Sequence, residues 1–285
     1  MVQSRPSMSG RVCLVTGAGS GIGKPTAIEL AKAGATVVIV CRSRERGEAA
    51  RRDISRKSRN DAVELMVADL SSQREIRRLA AEFEDKHDRL DVLVNNAAVM
   101  LKHRSVTTDG IETTFAVNHL AYFLLTNLLL PSLERSGPAR VVNVASTAHH
   151  SGRIDFDDLQ NERGYSMMGS YSGSKLANIL FTYELARRLE GTGVTANCLH
   201  PGVVATSLFR ELPKLILAPA KLFFISPEKG AETSVYLAMS PEVEGITGKY
   251  FIKRREARSS PASYDDEVAR RLWQVSASLT EVTEH

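Results

Sequence analysis

Cysteine and aromatic residues are scarce in this chain of 285 residues: three Cys, one Trp and 6% aromatics in all. Cys13, Cys41 and Cys198 are odd in number and match no metal-ligand spacing. They lie in or at the end of apolar, strand-like runs, so they read as buried thiols, and nothing in their use argues for an oxidising compartment. No apolar run approaches the ~18 residues that a membrane span needs. The opening MVQSRPSMSG lacks the apolar core of a secretory signal. Residues 1–9 are therefore expected to form a short flexible lead, and the cytoplasm is the expected location. No repeat, low-complexity tract or composition break divides the chain, which leaves one domain over residues 10–280.

What is present fits a globular protein: 43% hydrophobic and 25% charged residues. The net charge is +4, with basic residues crowded into CRSRERGEAARRDISRKSR at 41–59. Glu45, Glu48 and Asp53 interrupt that run and aromatics are missing from it. A solvated helix face is the better reading, and no nucleic-acid partner is expected.

Short β-branched runs alternate with longer helical stretches. RVCLVT (11–16), TVVIV (36–40), AVELMV (62–67), DVLVNN (91–96), ARVVNVA (139–145), VTANCLH (194–200) and GKYFI (248–252) are candidate strands. Their near-continuous apolarity suits strands covered on both faces. Helices are expected near 22–33, 44–58, 72–86, 110–132, 170–190, 227–240 and 264–279. The alternation predicts right-handed βαβ crossovers and an α/β fold, a doubly wound parallel sheet of seven strands with helices on both faces. Two long stretches leave the carboxyl edge of this sheet, where open α/β proteins bind ligands: 147–169 and 201–226.

The first strand runs into TGAGSGIGK. Gly17, Gly21 and Gly23 allow a sharp turn and let backbone N–H groups approach a pyrophosphate, while the next helix offers its positive end. Pro25 fits only the first helical turn, which sets the helix start near Gly21 or Ile22. A site for NAD(H) usually has a carboxylate at the end of the second strand. Here that position reads VCRSR. Arg42, helped by Ser43 or Arg44, could fork onto a 2′-phosphate, so NADP(H) is expected over NAD(H). The plainer alternative makes Arg42 the first member of the basic surface helix.

SYSGSK at 170–175 sets Tyr171 four residues before Lys175, one turn apart on a helix face. Alone, that spacing does not separate a catalytic pair from two helix neighbours.

With TGAGSGIG at 16–23, ADL at 68–70, NNAA at 95–98, VNH at 117–119, NVAS at 143–146, YSGSK at 171–175 and HPGVVAT at 200–206, the chain resembles the short-chain dehydrogenase/reductase family. VNHLAYFLLTNLLL, STAHHSGRIDFDDLQ and SKLANILFTYELARRLEGTGVTANCLHPGVV resemble its retinol dehydrogenase branch. The resemblance implies a single Rossmann domain, NAD(P)-dependent alcohol–carbonyl interconversion and a homo-oligomer. Tyr171 becomes the general acid/base. Lys175, with the positive nicotinamide, lowers the phenol pKa from about 10 and binds ribose. Ser146 binds the substrate oxygen, and Asn118 holds a water towards Lys175; as plainer alternatives, Ser146 is a helix cap and Asn118 serves a helix kink. Ser20 and Ile22 fall in the glycine turn. Asp69 and Leu70 would line the adenine, with Asp69 otherwise a helix cap. Asn95, Ala97 and Val117 would follow the cofactor, and Pro201, Gly202, Val204 and Thr206 would flank the nicotinamide. The chain departs from the family pattern at Ala98, which replaces a glycine, at Ser20, which replaces a frequent basic residue, and at Pro25.

Adjacent histidines on a loop rarely converge on one ion, so His149 and His150 are not read as metal ligands but as candidates for the substrate rim. Leu208, Phe209, Leu215, Ile216, Leu217, Leu222, Phe223 and Phe224 form either a lid over a lipophilic substrate, with peripheral membrane contact, or an ordinary packing helix. The expected activity is NADP(H)-dependent interconversion of a lipophilic alcohol and its aldehyde or ketone, a retinoid among them. The alternative is a non-catalytic NADP-binding sensing or interaction module.

Overall fold

The computed structural model describes residues 6–204 and 224–283. Seven parallel strands follow the expected runs: β1 (Val12–Thr16), β2 (Thr36–Cys41), β3 (Val63–Val67), β4 (Val92–Asn95), β5 (Ala139–Val144), β6 (Val194–His200) and β7 (Tyr250–Ile252). An eighth, β8 (Arg255–Glu256), was not expected, and the sheet order is β3-β2-β1-β4-β5-β6-β7-β8. β8 pairs antiparallel with β7, Ile252 opposite Arg255. The loop between them is only Lys253 and Arg254, at φ of 50° and 62°. Two left-handed residues make a hairpin turn whose twist suits the strands, though it is usually built from Asn and Gly.

Among the described residues the helices are α1 (Gly23–Lys32), α2 (Arg44–Ser58), α3 (Gln73–Lys86), α4 (Thr113–Ser136), α5 (Met167–Arg188), α6 (Pro227–Met239) and α7 (Asp266–Thr280). Strand residues alternate between two cores because successive side chains point to opposite faces. Leu14 and Val38 join Phe83, Phe123, Phe181 and Trp273 from α3, α4, α5 and α7. Cys13, Val15, Val37 and Ile39 join Ile28, Ile54 and Leu237 from α1, α2 and α6. All three thiols are free and buried, as expected. α4 has the length and apolarity of a membrane span, but 78% of its apolar window is buried inside the fold, which makes it a core helix.

Two expectations about ends need correction. The lead is not loose throughout: Met8 is buried beside the end of α1, and its N–H bonds the Ala33 carbonyl at 2.8 Å. An apolar side chain within reach of the core anchors it. α5 begins at Met167 rather than 170, because the Ser166 hydroxyl accepts the Gly169 N–H at 3.1 Å as its cap.

Candidate active site

The glycine turn is stitched to the end of β4. The Thr16 hydroxyl accepts the N–H groups of Asn96 and Ala97 at 2.8 and 3.1 Å, and Asn96 Nδ2 donates to the Thr16 carbonyl at 2.8 Å. A Cβ on Gly17 would stand 2.9 Å from Ala97 Cα, and one on Gly23 would stand 2.6 Å from Asn96 Nδ2. α1 then starts with Ile22 as a cap that makes no side-chain hydrogen bond and with no acid in its first turn. Its leading N–H groups are thus open to an anion, and the turn fits a pyrophosphate. Pro25, third in the helix, removes only a donor that the first turn leaves unused. Ser20 is exposed, and Ile22 and Val204 both lie over Gly230 of α6, where a Cβ would stand 3.3 and 2.5 Å from them.

Arg42 stands between the end of β2 and the Ser43 cap of α2, so it does not belong to the basic helix. It is exposed, with no hydrogen-bond or ion-pair partner among the described residues. Ser43 and three basic side chains of α1 and α2 are engaged elsewhere. Ser43 accepts the Arg46 N–H at 3.4 Å, and Lys24, Arg56 and Lys57 converge on Asp53 at 2.7, 2.6 and 3.1 Å. Hydrogen bonding from Lys24, then Arg56, holds the Asp53 carboxyl well below its usual range. A guanidinium at the end of β2 with no partner among the described residues suits a 2′-phosphate. Asp69 accepts from Ser71 N–H and hydroxyl at 3.0 and 2.8 Å, a turn into α3, and Leu70 is buried in the core.

At the carboxyl ends of β5 and β6 the catalytic candidates converge. Burial pushes the Tyr171 phenol up to about 12, against a lowering influence from the nearby Ser146 side chain. Lys175 is buried, donates to the Val144 carbonyl at 2.9 Å, and has its Nζ 5.7 Å from the Tyr171 ring centroid. Burial pulls Lys175 down to about 7. In the protein alone desolvation therefore outweighs the expected lowering of the phenol by the ammonium. Ser146 caps the short 3₁₀ turn Thr147–Ser151, accepting the Ala148 N–H at 3.2 Å, as its plainer reading expects.

Asn118 sits in a π turn, Ala116–Leu120, inside α4. Such widened turns recur at functional sites. Its amide donates to the Val99 carbonyl at 2.9 Å and Ser174 Oγ at 3.0 Å, and accepts the Val99 N–H at 2.8 Å. Both amide hydrogens are spent joining the post-β4 loop to α5, and its main chain lies in the widened turn that also buries Val117.

Some candidates lie elsewhere. Asn95 does not line the cofactor surface: it is fully buried and donates to Thr126 and Asn143 at 3.0 and 2.9 Å. Ala97 and Ala98 are half-buried beside the turn. Pro201 and Gly202 leave β6 partly exposed, and Gly202, at φ 91°, packs so that a Cβ would lie 2.5 Å from Ile225. Thr206 and the apolar residues from Leu208 to Phe223 lie outside the described residues. His149 is no rim residue: it is fully buried and bonded at both ring nitrogens, whereas His150 is exposed. No metal-holding group of His, Cys, Asp and Glu occurs among the described residues. Sequence reasoning passed over Asn96, second in the NNAA element, and Tyr122. Tyr122 follows Asn118 by one turn, and its ring centroid lies 5.6 Å from Lys175 Nζ. The i+4 spacing was the available signal.

The family model described as short chain dehydrogenase matches residues 11–215. Retinol dehydrogenase 13 of Homo sapiens is 45% identical over 285 residues, covering 97% of this chain and 86% of its own length. A crystal structure of an uncharacterized protein from Mycobacterium paratuberculosis superposes with a TM-score of 0.80 at 35% identity, covering 98% of this chain and 96% of that one. The Pseudomonas aeruginosa RhlG/NADP active-site complex gives 0.70 at 31% identity, over 86% of this chain and 95% of that one.

Proposed function

This chain belongs to the short-chain dehydrogenase/reductase family, in its retinol dehydrogenase branch, and from that premise we propose an NADP(H)-dependent enzyme with Tyr171 as general acid/base. Membership makes it an oxidoreductase of the alcohol–carbonyl type. The proposed substrate is a small lipophilic alcohol or its aldehyde or ketone, on the strength of the retinol dehydrogenase relative. NADP(H) is favoured by Arg42, which has no partner among the described residues, and by the NADP bound in a structural neighbour.

One observation carries the acid/base reading: Lys175 is buried with its Nζ 5.7 Å from the Tyr171 ring centroid, and the Ser146 side chain lies near enough to the phenol to lower its pKa. The bound dinucleotide would supply or accept the hydride. As a carbonyl is reduced, negative charge grows on its oxygen. In this reading the Ser146 hydroxyl and the Tyr171 phenol donate to it, and Tyr171 delivers the proton. A phenol raised to about 12 stays protonated at neutral pH and so carries the proton the reduction needs. In the reverse direction it must accept a proton, and the cationic form of Lys175 makes the phenolate accessible. Asn118 keeps the post-β4 loop and α5 in register around this centre.

The test is turnover of NADPH and NADH against carbonyls from short polar to long apolar, retinal included. Wild type should prefer NADPH and longer chains, and Tyr171→Phe should lower kcat by ~10²–10⁴ with NADPH affinity kept. Cofactor binding without turnover of any carbonyl would favour a sensing module and overturn the catalytic reading. We further propose a cytoplasmic homo-oligomer; the buried free thiols suit a reducing compartment. Cell fractionation and light scattering check those two points.

A further inference from the structure

The last ladder bond at the end of β5 runs from the Ala145 N–H to the Leu199 carbonyl, 2.8 Å. Two peptides on, the one between Ser146 and Thr147 lies beyond the sheet and follows directly from the Cα that bears the Ser146 hydroxyl. Two histidines take over there. The Ser146 carbonyl receives His149 Nδ1 at 2.6 Å. A carbonyl can only accept, so the His149 proton is on Nδ1. Its Nε2 is then a bare acceptor and takes the Ser260 N–H at 2.9 Å. On the other end of the same peptide, the Thr147 N–H donates to His200 Nδ1 at 3.1 Å. His200 therefore holds its proton on Nε2, 3.5 Å from Thr147 Oγ1.

We infer that His149 and His200 are positioning residues, two neutral imidazoles that grip both polar ends of the Ser146–Thr147 peptide and aim the Ser146 hydroxyl at Tyr171. This rests on the catalytic reading of Ser146 and Tyr171 given above. Each imidazole is anchored in turn. His149 is fully buried, with its ring centroid 5.1 Å from that of Tyr250 in an edge contact. His200 ends β6, immediately before Pro201 and Gly202. The grip therefore joins Ser146 to β6 and, through Ser260, to the segment that leads into α7. Burial keeps both rings neutral: His200 is drawn down to about 4, and His149 below its usual value. Neither ring is placed to touch the reacting atoms, so the effect on catalysis passes through the direction of Ser146 Oγ. A misplacement of that kind by ~1 Å can lower a rate by ~10².

Paired substitutions separate this from ordinary core packing. His200→Asn sets an amide oxygen where Nδ1 accepts, whereas His200→Leu removes the acceptor. His149→Asn keeps a side-chain donor towards the Ser146 carbonyl, whereas His149→Leu leaves it only the residue 149 backbone N–H, at 3.1 Å in the native chain. With NADPH and an aldehyde that wild type reduces, the Leu variants should lose ~10- to 100-fold in kcat. Their NADPH Kd should stay within about twofold, and the Asn variants should recover most of the lost kcat. Leu variants with full kcat, or Asn variants as impaired as Leu, would overturn the inference. Histidine ¹⁵N spectra of the wild-type protein at pH 7 provide a readout independent of turnover. One neutral Nδ1–H and one neutral Nε2–H ring, each lost in its own Leu variant, support the grip. An imidazolium or the opposite tautomer at either position refutes it. Should wild type reduce no carbonyl at all, the catalytic reading fails and these spectra alone decide whether the grip exists.

Discussion

Gly23→Ala puts a methyl group into the tightest part of the cradle. It would lie 2.6 Å from Asn96 Nδ2, 2.8 Å from the Gly17 carbonyl oxygen and 3.0 Å from Ala18 Cα. Carbon contacts are relaxed at ~3.5–4.0 Å, so the shortfall against the backbone atoms is roughly half an ångström or more. Asn96 could swing aside, but only by giving up its 2.8 Å bond to the Thr16 carbonyl. Gly17 and Ala18 cannot, because they are the turn itself. The start of α1 must move outward, carrying the N–H groups offered to the pyrophosphate. Overpacking of this kind costs ~1–3 kcal/mol, and the lost hydrogen bond adds ~1 kcal/mol. If half of that falls on binding, ~1–2 kcal/mol, the NADPH Kd rises by ~5- to 30-fold. Gly110→Ala is the matched control. Its φ is 77° and a Cβ there meets nothing within 4 Å, so it carries left-handed strain of ~1–2 kcal/mol without touching the cradle. Fluorescence titration with NADPH, alongside thermal unfolding, separates the two. A Gly23→Ala Kd within twofold of wild type, or equal weakening by Gly110→Ala, would refute the reasoning.

Arg42→Asp should reverse the cofactor choice, lowering the NADPH-to-NADH ratio of kcat/KM by ~10² as a favourable charge contact becomes a repulsive one; an unchanged ratio would remove Arg42 from the site. Trp273→Ala should destabilise the fold by ~3–5 kcal/mol, since the indole packs against Phe123 and Phe181 at 4.9 and 5.7 Å, and a Tm shift under a few degrees would contradict that. Acid should weaken the protein through His119, whose pKa is drawn down to about 4 by burial. The unfolded chain binds that proton near pH 6.5 and the native state does not. Stability is therefore full above pH 6.5 and falls towards pH 4, by on the order of 3 kcal/mol from this group. Urea midpoints that are flat from pH 7 to 4.5 would sink the point.

The seven parallel strands were legible because buried strands in such a sheet read as continuous apolar runs. Tyr171 and Lys175 were legible as a pair because helical spacing alone brings them together. The two-residue β8 was not, since Lys and Arg in left-handed turn positions carry no hairpin signal. The π turn at Asn118 was not, because one inserted residue leaves the apolar pattern of α4 almost intact. His149 was misplaced for a different reason. Its polar loop suggested solvent, while its partners, the Ser146 carbonyl and the Ser260 N–H, are backbone groups far apart in sequence. Asn95 went the same way: two adjacent asparagines look alike in sequence, and only the pleat decides that Asn95 joins Asn143 beneath the sheet edge while Asn96 holds the turn.

The strand order also sets a timetable for synthesis. β1 lies between β2 and β4. As the chain leaves the ribosome, β1, β2 and β3 can assemble first, but one edge of β1, carrying Cys13, Leu14 and Val15, stays unpaired until Val92–Val94 emerge. At ~5–20 residues per second the wait from β3 to β4 is a few seconds. Throughout it the nascent chain displays an open apolar strand edge, the kind of surface that recruits other chains. Slow codons between Val67 and Val92 would lengthen that exposure, so a change that leaves every amino acid untouched could still lower the yield of folded protein.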